Sequence, residues 1–147
     1  MSTEMINSIL LVDDENLFHL VFEDACSMLD ITLSLESLSS AEEAEELFKK
    51  WQHDSTGKPE CVFVDLNIIG SAYDGIELVR RINYLYGNGV VIGMISSSSD
   101  PMEIERAKGA GAQFWIVKSD EIEPRLEAFR ENYFGYKDRS NTFQVYA

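Results

Sequence analysis

Ile9-Leu10-Leu11-Val12-Asp13-Asp14 is an apolar run that stops on two carboxylates, and the pattern returns at Cys61-Val62-Phe63-Val64-Asp65. A hydrophobic strand ending on bare acids tolerates the clustered charge only if something compensates it. A hard divalent cation, which takes oxygen ligands, is the simplest compensator. Two more apolar runs end on other chemistry: Val90 to Ile95 is followed by Ser96, and Phe114 to Val117 by Lys118. The strand ends thus read acid pair, acid, hydroxyl, amine. That set can bind a metal, form a covalent phosphate and hold its oxygens.

Between these runs lie helical periods. Glu15 to Leu29 places Phe18, Val21, Phe22, Ala25 and Leu29 on one face, and Ile31 to Leu38 alternates as a second strand. Ser40 opens a capping box with Glu43, ahead of a helix to about Trp51. Asp74 caps a third helix carrying Ile76, Val79 and Ile82, and Gly87-Asn88-Gly89 ends it. Asp100-Pro101-Met102-Glu103 starts a fourth helix, and a fifth begins near Asp120 with Ile122, Leu126, Phe129 and Tyr133 at helical spacing. Strands alternating with helices predict an α/β fold, a five-stranded parallel sheet with helices on both faces. Ligands of such sheets gather at the carboxyl ends of the strands, where all the polar residues named above fall. The expected organisation is one domain over 1–134 and a tail, 135–147, without a clear period.

The chain has 147 residues, 45% of them apolar, which suits one domain with a real core. A net charge of −14, with only 12 Lys and Arg, argues against direct contact with nucleic acid or anionic membrane. No apolar stretch approaches the ~20 residues of a membrane span, and Met1-Ser2-Thr3-Glu4 lacks the charged region of a signal peptide. Cys26 and Cys61 fit neither a disulfide framework nor a metal spacing and read as small buried residues in a reducing, cytoplasmic setting. The pairs Glu42-Glu43 and Glu45-Glu46 read as a solvated helix face, and His19 as an ordinary helix residue.

On chemistry alone, Asp13, Asp14 and Asp65 converge on one Mg2+, an ion that takes one or two carboxylates and keeps several waters. Asp65 stands alone at its strand end and is the better nucleophile, since aspartyl phosphates are known covalent intermediates. Lys118 and Ser96 would hold the phosphoryl oxygens.

The motifs Ile9-Leu10-Leu11-Val12-Asp13-Asp14-Glu15, Val62-Phe63-Val64-Asp65, Asp74-Gly75, Ile95-Ser96, Gly111-Ala112 and Val117-Lys118 together resemble the receiver domain of two-component response regulators, over about Ile6 to Tyr133. The resemblance implies a flavodoxin-like doubly wound fold, and phosphoryl transfer to Asp65 from a partner histidine kinase or phosphotransfer protein. It further implies magnesium bound directly by Asp14, largely through water by Asp13, and by the backbone carbonyl of Asn67. Ser96 becomes the switch hydroxyl and Trp115 the aromatic that changes rotamer with activation. The output face becomes the fourth helix, fifth strand and fifth helix, acting on a protein target, with a phosphorylation-dependent dimer among the states the family allows.

The chain departs from the family in the segment Leu66 to Asp74, which lacks a usual proline and is longer than usual, in Ser119 where proline is usual, and in the bulk of Trp115. The leading expectation is a stand-alone, non-enzymatic phosphoacceptor switch; the alternative is a phosphorylation-independent receiver-like binding module. A magnesium-dependent aspartyl phosphatase fits less well, because such enzymes present an Asp-x-Asp nucleophile first and Asn67 stands where the second acid belongs.

Overall fold

The computed structural model describes residues 6–32, 34–119 and 121–147. Met1 to Glu4, Leu33 of the expected second strand and Asp120, the expected start of the fifth helix, lie outside the described residues. The first ten elements alternate: β1 (Ile9–Val12), α1 (Asn16–Leu29), β2 (Leu35–Leu38), α2 (Ala41–His53), β3 (Cys61–Val64), α3 (Gly75–Tyr86), β4 (Val91–Ser96), α4 (Pro101–Ala110), β5 (Phe114–Val117) and α5 (Glu123–Glu131). Two more follow, α6 (Tyr133–Asp138) and β6 (Gln144–Tyr146). All strand pairs are parallel, in the order β2-β1-β3-β4-β5-β6.

The sheet therefore has six strands, one more than the five expected. The sixth comes from the segment whose sequence shows no period: three residues cannot display an alternation. Its position depends on a turn of chain direction. The expected fifth helix breaks at Asn132, so that Tyr133 opens α6, and α6 ends with Arg139 in the left-handed region (φ 59°). The Ser140 N–H then bonds to the Gly135 carbonyl at 2.8 Å, and the chain returns alongside β5.

Strand side chains alternate between two cores, as the pleat requires. Leu11, Phe63, Ile95, Phe114 and Ile116 pack with Phe18 and Phe22 of α1, Phe129 of α5 and Tyr136 of α6. Leu10, Val62, Val64, Met94 and Trp115 pack with Phe48 of α2, Ile76 and Val79 of α3 and Ala107 of α4. Both sheet faces are covered, which is why β1, β3 and β4 read as unbroken apolar runs. The Phe129 ring lies 4.5 Å from Phe114 and 5.2 Å from Phe63, centroid to centroid. Truncating it to alanine would cost about 3–5 kcal/mol.

The helix starts follow the sequence signals. Ser40 accepts from Glu43 N at 3.1 Å, Asp74 from Glu77 N at 2.9 Å and Asp100 from Met102 N at 3.0 Å, each cap contributing about 1 kcal/mol. Gly75 has a different reason. A Cβ there would stand 1.9 Å from the Asp65 carbonyl oxygen, so only glycine lets the start of α3 lie under the end of β3. Gly111, at φ 108°, closes α4 in the left-handed conformation that glycine adopts without strain.

Candidate functional site

The ends of β1, β3, β4 and β5 form one crest. The ladder carries Asp13 and Asp65 just past their strands: Asp13 N donates to the Leu38 carbonyl and Asp65 N to the Val12 carbonyl, both at 2.9 Å. Ser96 closes β4 opposite Val117, and Lys118 N donates to the Ser96 carbonyl at 2.8 Å. The chain reverses its sheet order between β1 and β3, so the crest contains the switch point at which open α/β sheets bind ligands.

Lys118 is the hub. Its Nζ lies 2.7 Å from Asp13 Oδ2, 2.8 Å from Glu15 Oε1 and 3.4 Å from Asp65 Oδ2, and it sits 4.4 Å from the centre of the Phe18 ring. Asp13 is fully buried and Asp65 nearly so. The Asp13 Oδ2 contact lies off the hydrogen-bond direction, leaving that buried oxygen an ion-pair partner but no hydrogen bond. Asp65 Oδ1 accepts from Leu66 N at 2.9 Å.

Electrostatics follow from this crowding. Burial and then the Asp13 charge push Asp65 up from 3.8 to about 6, against the pull of Lys118. Burial on its own would lower Lys118, but its close contacts with the Asp13 and Glu15 carboxylates and the charge of Asp65 outweigh it, and the net shift is upward.

The three carboxylates that converge are Asp13, Glu15 and Asp65, with oxygens all within 4.8 Å of one another. Asp14 is half-buried and is not one of the three. Residues two apart along extended chain point the same way, and Glu15, still extended at the N-cap of α1, follows Asp13 in direction; its N–H donates to Asp13 Oδ1 at 2.8 Å. Reading Glu15 only as the start of a helix missed this role, although three successive acids were the available signal. His19, one helical turn on, places Nε2 2.5 Å from the Asp13 carbonyl and so braces the same turn.

The donor set suits a hard cation. It offers carboxylate oxygens, one of them buried without a hydrogen bond, and a free carbonyl. Leu66 and Ile68 carbonyls accept from Gly75 N and Ser71 N, while the Asn67 carbonyl between them takes no hydrogen bond from the described residues. Magnesium fits such all-oxygen sites.

Ser96 is buried, and its Oγ accepts from Ser98 N at 3.1 Å. Trp115 is also fully buried, and its indole N–H donates to the Ser98 carbonyl at 2.9 Å. The expected switch pair is thus joined through one residue of the loop between β4 and α4. The loop after Asp65 is fastened to α2: Ser71 Oγ accepts from Ala41 N at 3.0 Å, Ala72 N donates to Glu42 Oε2 at 2.6 Å, and Tyr73 OH bonds to Glu45. Glu42 and Glu45 are therefore engaged, not merely solvated. Ser119 Oγ accepts from Glu121 N at 3.1 Å and from Arg125, and no peptide bond among the described residues is cis, Lys118–Ser119 included.

No curated protein matches this sequence. Solved structures do resemble it. A LuxR-family two-component response regulator from Aurantimonas sp. SI85-9A1 is 23% identical, with TM-score 0.70 over 88% of this chain and 87% of that one. The signal receiver domain of a modulated diguanylate cyclase from Desulfovibrio desulfuricans G20 is 22% identical, with TM-score 0.70 over 94% and 100%. The chemotaxis protein CheY4 of Vibrio cholerae is 20% identical, with TM-score 0.68 over 86% and 98%. At these identities the likeness speaks to the fold. The family model for the response regulator receiver domain matches residues 9–128, most of the sequence and every strand end of the crest, and the chain belongs to that family.

Proposed function

We propose that this protein is a phosphoacceptor switch: Asp65 takes a phosphoryl group from a histidine kinase or phosphotransfer protein and passes the change to a protein partner. The observation that carries the reading is the convergence of Asp13, Asp65 and Lys118 in one buried cluster. In the transfer, an Asp65 carboxylate oxygen bonds to phosphorus as the phosphorus–nitrogen bond to the donor imidazole breaks. The electron pair of that bond stays on the ring nitrogen, which takes up a proton. Bound Mg2+, held by Asp13, Asp65, the Asn67 carbonyl and Asp14 or Glu15, would neutralise phosphoryl charge. Lys118 turns from Asp13 and Glu15 toward the new oxygens, and Ser96 OH donates to another of them. This is acceptance of a group, not turnover of a substrate.

Exposed apolar side chains lie on α1 and on the loop after Asp65, the two segments that leave the acid ends of β1 and β3. Leu17 and Leu20 of α1 are 74% and 63% exposed and Ile69, in the loop after Asp65, is 81% exposed, a surface suited to a helical partner that brings a phosphohistidine to Asp65. The net charge of −14 agrees with protein partners. Among the described residues no helix is long and apolar enough to cross a membrane, and a cytoplasmic setting belongs with this reading.

The test is incubation with magnesium and acetyl phosphate, followed by intact mass. One added phosphoryl group, absent in Asp65→Asn, supports the reading; labelling that survives Asp65→Asn overturns it. One observation favours the alternative of a phosphorylation-independent binding module: Lys118 is already engaged by Asp13 and Glu15 at shorter range than by Asp65. That alternative predicts no labelling in either protein. Size-exclusion chromatography of labelled protein tests the dimer.

A further inference from the structure

In this chain β5 is not the edge of the sheet. Its outer side is taken by β6, with Phe114 opposite Gln144, Trp115 opposite Val145 and Ile116 opposite Tyr146. Tyr146 is buried beside α5 and α6, its ring 6.3 Å from Phe129. Its hydroxyl lies 2.6 Å from Tyr136 OH, accepts from Asn132 Nδ2 at 2.7 Å and donates to Gln144 Oε1 at 3.0 Å. On the other side Phe143 packs against the core that contains Trp115 and Ala107, and Lys108 Nζ of α4 stands 5.9 Å from its ring. The sixth strand thus lies between α4 and α5, over the face that a receiver of this fold would use for output.

Trp115 belongs to both this cover and the acid crest. Its backbone pairs with Val145, its indole N–H donates to the Ser98 carbonyl, and Ser98 N–H donates to Ser96 Oγ. Three successive contacts connect the switch hydroxyl to β6.

We propose that residues 142–146 are a latch made of the chain's own backbone, which covers the β5 edge while Asp65 is unmodified and is released when the acid pocket fills. The inference rests on the phosphoacceptor reading above. When Ser96 Oγ turns to a phosphoryl oxygen it gives up Ser98 N–H, and the loop carries the Ser98 carbonyl away from Trp115. A buried indole N–H without an acceptor is unfavourable, so the ring moves to find one and disturbs the core against which Phe143 packs. The latch is weakly held by design of its length: β6 has three residues, and Gln144 and Val145 are exposed. Its departure leaves β5 with a row of unpaired N–H and C=O groups, an acceptor for an extended segment of a protein partner.

Coupling of this kind is reciprocal: if filling the pocket favours release of β6, loosening β6 must tighten binding in the pocket, by no more than the coupling factor. The experiment titrates magnesium-beryllofluoride, an acyl-phosphate mimic, into the full chain and into Tyr146→Phe, which keeps the ring and loses the hydroxyl's three partners. Hydrogen exchange of residues 142–146 is followed in the wild type, an arm that needs no variant to fold. The latch predicts tighter binding in Tyr146→Phe, and exchange at 142–146 accelerated about fivefold or more when the wild-type pocket is saturated, by at least the factor that the variant gains in affinity. Equal affinities with unchanged exchange overturn the latch alone. No beryllofluoride binding to either protein overturns the phosphoacceptor reading and the latch with it.

Discussion

Lys118 Nζ is nearer to Asp13 Oδ2, at 2.7 Å, than to Asp65 Oδ2, at 3.4 Å. This buried cation of the crest is drawn more closely to Asp13 than to Asp65, the acid proposed to take the phosphoryl group, and leans on Glu15 as well. Lys118 is therefore a counter-ion to Asp13 and Glu15 in this structure, and its proposed use as a phosphate clamp requires it to leave them. Removing it leaves Asp13 buried and unpaired beside Asp65. Lys118→Met should lower stability in magnesium-free buffer by about 3–5 kcal/mol, the scale for breaking a buried pair. Magnesium should recover a larger part of the loss in the variant than it adds to the wild type, and phosphoryl uptake should fall. Urea unfolding with and without magnesium measures the first two, and intact mass the third.

The raised proton affinity of Asp65 gives a pH signature with a definite sign. Folding moves this carboxyl from 3.8 to about 6, so between those values the native state holds more protons than the unfolded one. Stability from this group is full below the lower value and is lost as pH rises to the upper one. At neutral pH Asp65 is a charged group held at a loss of up to about 3 kcal/mol, two pH units' worth. Asp65→Asn, which keeps the shape without the charge, should raise stability at pH 7.5 in the absence of magnesium, by less than that figure because the Lys118 contact goes too. The gap between variant and wild type should narrow as pH falls through 6 toward 4. Unfolding midpoints across pH 4 to 8 provide the check.

Much of this site was legible in the sequence because its residues stand at strand ends, and strand ends are visible as the points where apolar runs stop. Asp13, Asp65, Ser96 and Lys118 were each found that way. The caps at Ser40, Asp74 and Asp100 were legible for a related reason: their partners lie two or three residues on. What escaped depends on contacts between distant segments. Glu42 holds Ala72 across 30 residues, and no local pattern distinguishes it from its solvated neighbour Glu43. Glu15 was hidden by its second role at the head of α1. Strand β6 exists because Arg139 turns the chain back and Tyr146 finds Tyr136 and Asn132, and a three-residue segment carries no periodicity of its own.

Gly75 tests how tightly the frame constrains the acceptor. A methyl group there would meet the Asp65 carbonyl oxygen at 1.9 Å, and backbone cannot step aside as a side-chain tip can. Gly75→Ala should destabilise the fold by about 3 kcal/mol or more, the upper range for overpacking. It should also weaken magnesium binding, because Asp65 and the start of α3 must separate. Gly109→Ala, where a Cβ meets nothing within 4 Å, is the control and should leave both unchanged.

The loop after Asp65 is held by acids of α2, and this predicts a local effect. Burial and the bond to Glu45 push the Tyr73 hydroxyl up, while the bond to Ala72 N leads the causes that hold Glu42 down. Glu42→Ala removes the acceptor of Ala72 N, and Tyr73→Phe removes the tie to Glu45. Each should speed hydrogen exchange over residues 69–73 while leaving that of β3 unchanged. If phosphoryl lifetime depends on this loop, the two variants should alter the decay of labelled Asp65 in the same direction, measured by intact mass over time.

On the proposed function, the Ser96–Ser98–Trp115 contacts separate accepting a phosphoryl group from transmitting it. Ser96 would supply one hydrogen bond to the transferred group, and Asp65, Lys118 and bound metal would supply the rest of its binding. Ser96→Ala should therefore still take up phosphate from acetyl phosphate, more slowly by about 10- to 100-fold if a charge-assisted bond of roughly 1.5–3 kcal/mol is lost in the transition state. Its Trp115, however, has no reason to leave the Ser98 carbonyl. In a Trp51→Phe background, which isolates the second indole, magnesium with beryllofluoride should change Trp115 emission in the otherwise unaltered protein, have no effect in Asp65→Asn, and give a reduced or absent change in Ser96→Ala at saturating mimic. A full emission change in Ser96→Ala would mean that Trp115 reads the pocket by another route, through Lys118 at the end of its own strand.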